Sequence, residues 1–171
     1  MNQFKKCTIN DLKESFSNLI GEKYALITVF DKNNLNMMTA SWGSMGIMWN
    51  KNVVNVVVRP SRYTYDFLMN NEYFTLNFLQ DGNADVYKLC GSKSGRDCDK
   101  VKASGLIPIE IESSKFAFDK SEYVFVCKKL YAQPMRKEYF VSSEYGDKTY
   151  PNDDVHTMFI AELEEIYVQN N

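Results

Sequence analysis

The sequence is poor in the residues that bind metals and build disulfide frameworks. Its 171 residues include one histidine, His156, and four cysteines, with no C-x-x-C pair. A multi-histidine metal site is therefore excluded, and the cysteine spacing is typical neither of a zinc site nor of a disulfide scaffold. We expect no bound metal. In a reducing compartment we expect buried or idle thiols at Cys7, Cys90, Cys98 and Cys127.

Long apolar runs and an excess of charge of one sign are also missing. No stretch approaches the roughly 20 apolar residues that span a bilayer, and residues 1–10 lack the apolar core of a signal peptide. With 20 basic and 22 acidic residues the formal net charge is −2, whereas non-specific nucleic-acid binding needs a basic face. We therefore expect a cytoplasmic protein that binds neither membrane nor nucleic acid.

Short motifs of common nucleotide-binding and hydrolytic folds are absent too. The chain has no G-x-G-x-x-G fingerprint and no Walker loop. Residues 91–95 have the glycine spacing of a nucleophile elbow, but Lys93 stands where that motif needs serine. A Ser-His-Asp triad has no local support around the single histidine. A Rossmann cofactor site and hydrolysis by an activated serine are therefore disfavoured.

What is present favours a β protein. Aromatic residues make up 14% of the chain, and Val and Ile are abundant, a composition typical of strands. Apolar segments of strand length occur at residues 24–30, 37–42, 53–59, 73–79, 122–130 and 158–168. Helical patterns occur at 11–20, from 61 onward, at 84–90 and at 97–104, and residues 132–155 are polar and irregular. We predict one domain over residues 1–171, mainly β with peripheral α-helices, arranged as an antiparallel barrel or sandwich.

Arginine is scarce but concentrated. Only 4 of the 20 basic residues are arginine, and Arg59, Arg62 and Arg96 fall in two unusual loops. The first loop, residues 59–64, is Arg-Pro-Ser-Arg-Tyr-Thr and lies between a predicted strand and a predicted helix. A helix N-terminus with arginine, serine and threonine donors predicts a phosphate cradle. The alternative is an ordinary helix start in which Ser61 is the N-cap.

The second loop, residues 90–100, is rich in small residues, hydroxyls and cations. Its glycines, Gly91 and Gly95, allow backbone N–H groups to converge on an anion. The alternative is a flexible connector in which Asp97 caps the next helix. Nearby cations are able to activate a thiol, but no partner base is present, so we interpret the cysteines of this loop as structural.

Two further features point to a planar or anionic ligand. The tryptophans of the chain flank small residues in the stretches 38–42 and 47–50, which predicts a flat slot lined by backbone groups. The alternative is a core-facing strand whose tryptophans simply pack. His156 precedes the last strand and is a candidate proton donor or anion ligand. The alternative is a surface histidine beside Asp153 and Asp154.

Several stretches of the chain, taken in order, resemble the flavin reductase-like, FMN-binding split-barrel family, in particular its flavoredoxin-like branch. The resemblance covers about residues 20–165. It rests on M-T-A-S-W at 38–42, W-N-K at 49–51, R-P-S-R-Y-T at 59–64, C-G-S-K-S-G-R-D-C-D-K at 90–100, K-L-Y-A-Q at 129–133 and H-T-M-F-I at 156–160. Ala161 departs from the pattern, because the family often has glycine there.

The resemblance implies a six-stranded antiparallel Greek-key split barrel that works as a homodimer, with FMN near the dimer interface. It assigns to the isoalloxazine ring the residues Thr39, Ala40, Ser41, Trp42, Trp49 and Asn50. It assigns to the phosphate Arg59, Ser61, Arg62 and Thr64, with Tyr63 in the same loop. Further cofactor-binding candidates are Cys90, Ser94, Arg96 and Lys100. His156, of the same or the partner chain, would approach the flavin or the nicotinamide and is the candidate catalytic residue.

The activity that the resemblance implies is that of an NAD(P)H-dependent FMN reductase or a related oxidoreductase. Hydride would pass from the nicotinamide through flavin N5 to an acceptor, and the protein would orient a cofactor that supplies the chemistry. One alternative is a flavoredoxin-type electron carrier with tightly bound FMN that serves a redox protein partner. Another is a non-catalytic ligand-binding module, because a fold does not by itself determine function.

Overall fold

The computed structural model describes residues 3–32 and 34–170, so the predicted domain limits, Met1 and Asn171, lie outside the described residues. The strands are β1 (Phe4–Cys7), β2 (Ala25–Asp31), β3 (Asn34–Ala40), β4 (Gly43–Met48), β5 (Lys51–Val58), β6 (Tyr73–Leu79), β7 (Pro108–Glu112), β8 (Lys115–Phe118), β9 (Ser121–Pro134) and β10 (Thr157–Gln169). The α-helices are α1 (Phe16–Asn18), α2 (Tyr63–Asn70), α3 (Ala84–Ser92), α4 (Lys100–Ser104) and α5 (Ser143–Thr149). Short 3₁₀ turns lie at Ile9–Asp11 and Lys137–Tyr139, and a π-helical turn lies at Leu19–Lys23. None of the helices in the described part of the chain has the length and apolar character needed to cross a membrane.

Eight strands form one antiparallel sheet whose two ends meet. The order along the sheet is β3-β2-β6-β9-β10-β5-β4, and β1 adds to β10. β3 and β4 are at opposite ends of this order, yet only Ser41 and Trp42 separate Ala40 from Gly43 in the chain. The three steps from the Cα of Ala40 to the Cα of Gly43 span at most about 11 Å. The sheet therefore has to curl until its two ends are adjacent. The result is a barrel with a seam between β3 and β4.

The inside of the barrel is filled by apolar side chains from β2, β3, β5, β6, β9 and β10. On β2, Ala25, Ile27 and Val29 face this core, whereas Leu26 faces a second cluster that includes residues of α3. Both faces of β2 are covered, which explains why its sequence is an uninterrupted apolar run. Phe67, on α2, also joins the barrel core. β2 is therefore held by packing on both faces, and α2 packs against the same core.

The six predicted strands correspond to β2, β3, β5, β6, β9 and β10. The prediction at 37–42 is wrong at its C-terminal end, because β3 ends at Ala40 and leaves Ser41 and Trp42 as the connection to β4. The sequence did not predict β1, β4, β7 or β8. β4 is mostly exposed and contains two glycines, so it lacks the apolar alternation by which a half-buried strand is recognised.

The predicted helix at 11–20 is wrong in both bounds. The helical segment begins at Phe16, where the Ser15 side chain accepts a hydrogen bond from a first-turn backbone N–H. The helical path does not end at residue 20, because the π-helical turn carries the chain on to Tyr24, whose φ is 68°. The apolar residues Leu19 and Ile20 of this turn are buried, which favours the longer helical path.

The caps of two other helices differ from the alternatives considered for them. The residue at the N-cap position of α2 is Arg62, so Ser61 is not the cap. At α4 the cap is Asp99, whose carboxylate accepts from the Lys102 backbone N–H at 3.0 Å, so Asp97 is not the cap. Ser61 is therefore left with its hydroxyl facing outward from the loop, where it takes another partner.

Candidate functional site

A cleft of about 320 Å³ opens at the seam between β3 and β4. Its walls come from the end of β3, the two-residue connection, β5, the loop after β5 and the residue before β10. The lining residues are Met38, Thr39, Ala40, Ser41, Trp42, Val57, Arg59, Ser61, Arg62 and His156. The curl of the sheet thus brings together stretches that are far apart in the chain.

The pairing of β10 with β5 places the histidine beside the arginine loop. Thr157 lies opposite Val58 in this antiparallel pair. The residue before Thr157 and the residue after Val58 are therefore neighbours, and these are His156 and Arg59. The register of these two neighbouring strands sets this juxtaposition.

The loop between β5 and α2 supplies the hydrogen-bond donors of the cleft. The Arg62 backbone N–H donates to the Arg59 carbonyl at 3.0 Å, which forms a turn, and α2 follows without a side-chain N-cap. The Ser61 hydroxyl donates to the Asp154 carboxylate at 2.6 Å. Arg59 Nη1 lies 3.9 Å from the same carboxylate oxygen. The loop therefore already holds an anionic group.

The chemistry of this donor set matches a phosphate. The Asp154 carboxylate contacts a hydroxyl and lies near a guanidinium, in the loop that leads into α2. Hydroxyl, guanidinium and helix N-terminus are the donors that bind phosphate groups in proteins. Arg62 has no carboxylate partner in the described part of the chain, and its Nη2 donates to the Gly91 carbonyl at 2.6 Å. Because a guanidinium has five N–H donors, Arg62 keeps donors for a ligand.

The stretch from Thr39 to Trp42 gives the cleft small side chains and one exposed ring. The small side chains of Ala40 and Ser41 lie beside Trp42, which is 52% exposed. The Thr39 hydroxyl is already used, because it donates to the Tyr87 carbonyl at 2.7 Å. An exposed indole next to small residues and backbone suits a planar ring.

His156 is uncharged at neutral pH. Its ring packs against Trp42 and Tyr150, with centroid distances of 5.2 and 5.5 Å. Its Nδ1 lies 2.9 Å from the Tyr150 hydroxyl oxygen. Burial, together with the positive charge of Arg59, lowers the pKa of His156 from 6.5 to about 4, against the opposing effect of Asp154. The cleft therefore contains a neutral imidazole beside two arginines.

Three of the predicted cofactor-binding side chains lie in the interior behind the cleft. The Thr64 hydroxyl accepts from Asn36 Nδ2 at 2.6 Å. The Lys100 ammonium donates to the carbonyls of Met37 and Cys90 at 3.0 and 2.9 Å, and burial lowers its pKa. Burial also raises the pKa of the Cys90 thiol to about 11. These groups join β3 to α2, α3 and α4, and so support the cleft wall from behind.

Arg96 supports the arginine loop from outside the cleft. Its guanidinium lies 4.9 Å from the Tyr63 ring centroid, donates to the Ser61 carbonyl at 3.2 Å and pairs with Asp66 at 3.3 Å. The neighbouring Gly95 packs so closely that an added Cβ would lie 2.6 Å from the Tyr63 ring. The second loop is therefore packed on the first one and is not a free connector.

Trp49, Asn50 and Ser94 lie outside the cleft lining. The first two form the tip of the β4–β5 hairpin with φ values of 53° and 57°, as a type I′ turn requires. The Trp49 ring packs on Tyr131 at 6.4 Å. The Ser94 hydroxyl accepts from the Arg96 backbone N–H at 3.1 Å. The predicted residues that the cleft does bring together are Thr39, Ala40, Ser41, Trp42, Arg59, Ser61, Arg62 and His156.

Sequence reasoning missed the roles of Tyr150 and Asp154. Both lie in the polar stretch 132–155, where no motif or periodicity marks a site. Asp154 was considered only as a neighbour of His156, and its contact with Ser61 depends on the loop path before β10. Nearness in sequence to His156 is the one signal that pointed to either residue.

Solved structures with this fold are split barrels of the FMN-binding type. The FMN-binding domain of a flavin reductase-like enzyme from Shewanella baltica has a TM-score of 0.69 and 15% identity, over 98% of this chain and 78% of that one. A flavoredoxin from Methanosarcina acetivorans has a TM-score of 0.68 and 19% identity, over 96% and 75%. An FMN-binding protein from Thermus thermophilus, solved with bound 1-cyclohex-2-enone, has a TM-score of 0.67 and 17% identity, over 95% and 79%. At these identities the likeness establishes the fold.

The seamed antiparallel barrel thus places the protein in the class of split barrels. The chain belongs to the flavin reductase like domain family, whose model matches residues 16–171. Comparison with curated protein sequences gives no match. The family resemblance and the split-barrel fold expected from the sequence are both confirmed. The expected count of six strands is wrong, because β1 and β4 bring the main sheet to eight strands among the described residues.

The neutral state of His156 makes the stability of the protein depend on pH. The folded-state pKa of about 4 lies below the ordinary value of 6.5, so the unfolded chain binds a proton that the folded chain does not, and acid favours unfolding between these values. We expect the free energy of unfolding in urea to fall more steeply from about pH 7 to about pH 4 for the wild type than for His156→Gln. The same carboxylates titrate in both proteins, so their contribution to the pH dependence of the free energy of unfolding is removed when the two proteins are compared. A difference that stays constant over this range would contradict a neutral His156.

Proposed function

We propose that the protein is an FMN-dependent oxidoreductase of the NAD(P)H:flavin reductase type. One observation carries the proposal: a single cleft is lined both by an arginine–serine loop that holds a carboxylate and by small residues beside the exposed Trp42. FMN has a phosphate at one end and a planar ring at the other, so these two parts of the lining match the two ends of the ligand. Membership of the flavin reductase-like family supports this assignment.

In this proposal the arginine loop binds the phosphate. Arg59, Ser61 and Arg62 donate to it together with the N-terminus of α2, and the Asp154 carboxylate has to move aside. Residues 39–42 form the wall against which the ring lies. When bound, FMN supplies the redox chemistry, because its ring accepts and releases electrons. The two guanidinium groups add positive potential to the cleft, which favours an anionic ligand.

The electron donor and the cellular location belong to the same proposal. We propose NADH or NADPH as the donor, with the uncharged His156 as the side chain that hydrogen-bonds to the flavin or the nicotinamide. The cysteines Cys7, Cys90, Cys98 and Cys127 are all unpaired. Unpaired cysteines support the proposed cytoplasmic location, since the cytosol keeps thiols reduced.

Visible absorption spectra test the proposal directly. The purified protein is mixed with FMN, freed of unbound flavin and then treated anaerobically with NADH or NADPH. We expect a yellow protein that loses its flavin absorption on addition of one nicotinamide. A protein that does not take up FMN would overturn the assignment of the cleft and favour a non-catalytic binding module.

An electron carrier is the second candidate function. Two flavoredoxins, from Methanosarcina acetivorans and Desulfovibrio vulgaris, share the fold. A carrier would bind FMN in the same cleft and exchange electrons with a redox protein partner. A yellow protein that ignores both nicotinamides but is reduced by a redox protein would favour this function over the reductase.

The phosphate end of the cleft is tested with Arg62→Ala. Loss of one charge-assisted contact costs roughly 1.5–3 kcal/mol, so FMN should bind about tenfold more weakly or worse. Riboflavin, which lacks the phosphate, should bind the variant and the wild type alike. Arg136→Ala is the control, because Arg136 is exposed and pairs with Glu138. Equal FMN affinity of Arg62→Ala and wild type, measured by flavin fluorescence, would show that the loop does not bind the phosphate.

We also propose that the protein is a homodimer, as its family resemblance implies. Ile47, Met48, Trp49, Leu130 and Tyr131 are exposed apolar residues, and Trp49 packs on Tyr131. This set is here named the edge patch. β4 is the last strand of the sheet order and contains no charged residue, so nothing on it discourages pairing or apolar association. Trp42, exposed at the cleft, lies immediately before β4. A second copy on the edge patch would therefore reach the cleft.

The edge patch is tested with Ile47→Glu. Ile47 is 72% exposed, so a charge there leaves the folded monomer intact but has to be desolvated in a dimer. We expect a dimeric wild type and a monomeric variant by light scattering after size-exclusion chromatography. Val141→Glu is the control, because Val141 is fully exposed outside the edge patch. A monomeric wild type, or a variant that stays dimeric, would contradict the proposed interface.

A further inference from the structure

The connection before β10 contains a buried tyrosine that touches the histidine of the cleft. Tyr150 is 3% exposed. Its ring packs on Phe140 at 6.0 Å and lies under the Arg59 guanidinium at 5.4 Å. Its hydroxyl oxygen is 2.9 Å from His156 Nδ1. The phenol is thus held in place on several sides, and its polar end is directed at one nitrogen of the imidazole.

The backbone holds this pair in register. The Asp153 N–H donates to the Tyr150 carbonyl at 3.2 Å, and the Val155 N–H donates to the Asp153 carbonyl at 2.9 Å. The Met135 N–H donates to the His156 carbonyl at 2.9 Å, which ties the other end of the turn to the segment after β9. These backbone hydrogen bonds within residues 150–156 and to Met135 keep the Tyr150 hydroxyl close to His156 Nδ1.

The Tyr150 phenol has a hydrogen available for its contact with His156. Burial raises the pKa of Tyr150, while Arg59 and the His156 backbone N–H act in the opposite direction, and the phenol stays protonated at neutral pH. The hydroxyl group has one hydrogen to donate. The nearest side-chain acceptor is His156 Nδ1. An imidazole that accepts at Nδ1 and is neutral carries its own hydrogen on Nε2.

The charged groups around the imidazole act together to keep it neutral. Arg59 and Arg62 on the β5–α2 loop disfavour a second proton, and Asp154 favours it. The Asp154 carboxylate, however, accepts from Ser61 and lies near Arg59, so its charge is partly compensated.

We propose that Tyr150 is a positioning residue that holds His156 as the neutral Nε2–H tautomer, so that the cleft offers its ligand an uncharged donor. Such a donor matches a carbonyl oxygen or ring nitrogen of a planar ligand and does not add a third cation to the two arginines. The ligand class follows from the proposed FMN function and rests on it. The tautomer and its dependence on Tyr150 do not rest on that function.

The chain has one histidine, so nitrogen-15 NMR reports this imidazole without ambiguity. Long-range proton–nitrogen correlation spectra of the ligand-free protein are recorded for the wild type, Tyr150→Phe and the control Tyr145→Phe. We expect the wild type to show a single neutral tautomer with hydrogen on Nε2 and a hydrogen-bonded Nδ1. In Tyr150→Phe the Nδ1 resonance should shift to that of a free acceptor, and the pH midpoint of His156 should rise. Tyr145→Phe should match the wild type, because Tyr145 lies in the same segment but contacts Phe140.

The wild-type spectrum alone is able to overturn the proposal. Hydrogen on Nδ1, or a protonated imidazole at neutral pH, would show that the tyrosine does not donate. A Tyr150→Phe spectrum identical to that of the wild type would show that the contact has no effect on His156. Because no flavin is present, failure of FMN binding leaves this result standing, and failure here leaves FMN binding untouched. Phenylalanine keeps the packing of the ring, so the variant retains the contacts with Phe140 and Arg59.

Discussion

The two-residue connection between β3 and β4 is the constraint on which the rest of the molecule depends. These strands are at opposite ends of the sheet order, and Ser41 and Trp42 are too short a link for an open sheet. The sheet has to close on itself, and its seam falls where the connection lies. The cleft is at that seam, so the same geometric condition that makes the barrel also makes the site.

The basic side chains near the seam each have a different partner or location. Arg59 faces the Asp154 carboxylate, Arg62 donates to a backbone carbonyl, and Arg96 lies on the outside over Tyr63. Lys100 is buried, with two backbone carbonyls as partners. Only the first two guanidinium groups line the cleft. The outer and buried cations hold the loops in position, so the cleft presents directed donors rather than a diffuse positive surface.

The strands that the sequence predicted are those whose side chains fill the barrel. Their apolar runs were visible because burial demands them, as in β2, where both faces are covered. β4 was not predicted because it is an exposed edge strand that contains glycines, and an exposed strand does not need an apolar run. The same reasoning applies to the site. The arginine loop was recognisable because its donors are consecutive in the chain, whereas the closeness of Asp154 to Ser61 and of Tyr150 to His156 depends on a polar turn with no periodic pattern.

The sequence by itself determined the class of fold, through apolar runs of strand length, and the family, through a series of motifs that resemble it. It also marked the arginine loop, because a proline-led turn into a helix and closely spaced arginines are visible in the chain. The tertiary structure decided which of the marked residues line the cleft. Lys100, Cys90 and Thr64 are turned inward and Trp49 and Asn50 form a hairpin tip, while His156 meets Arg59 through strand register. The direction of a side chain and the register of a strand depend on how the whole sheet closes. A local sequence pattern does not predict that closure.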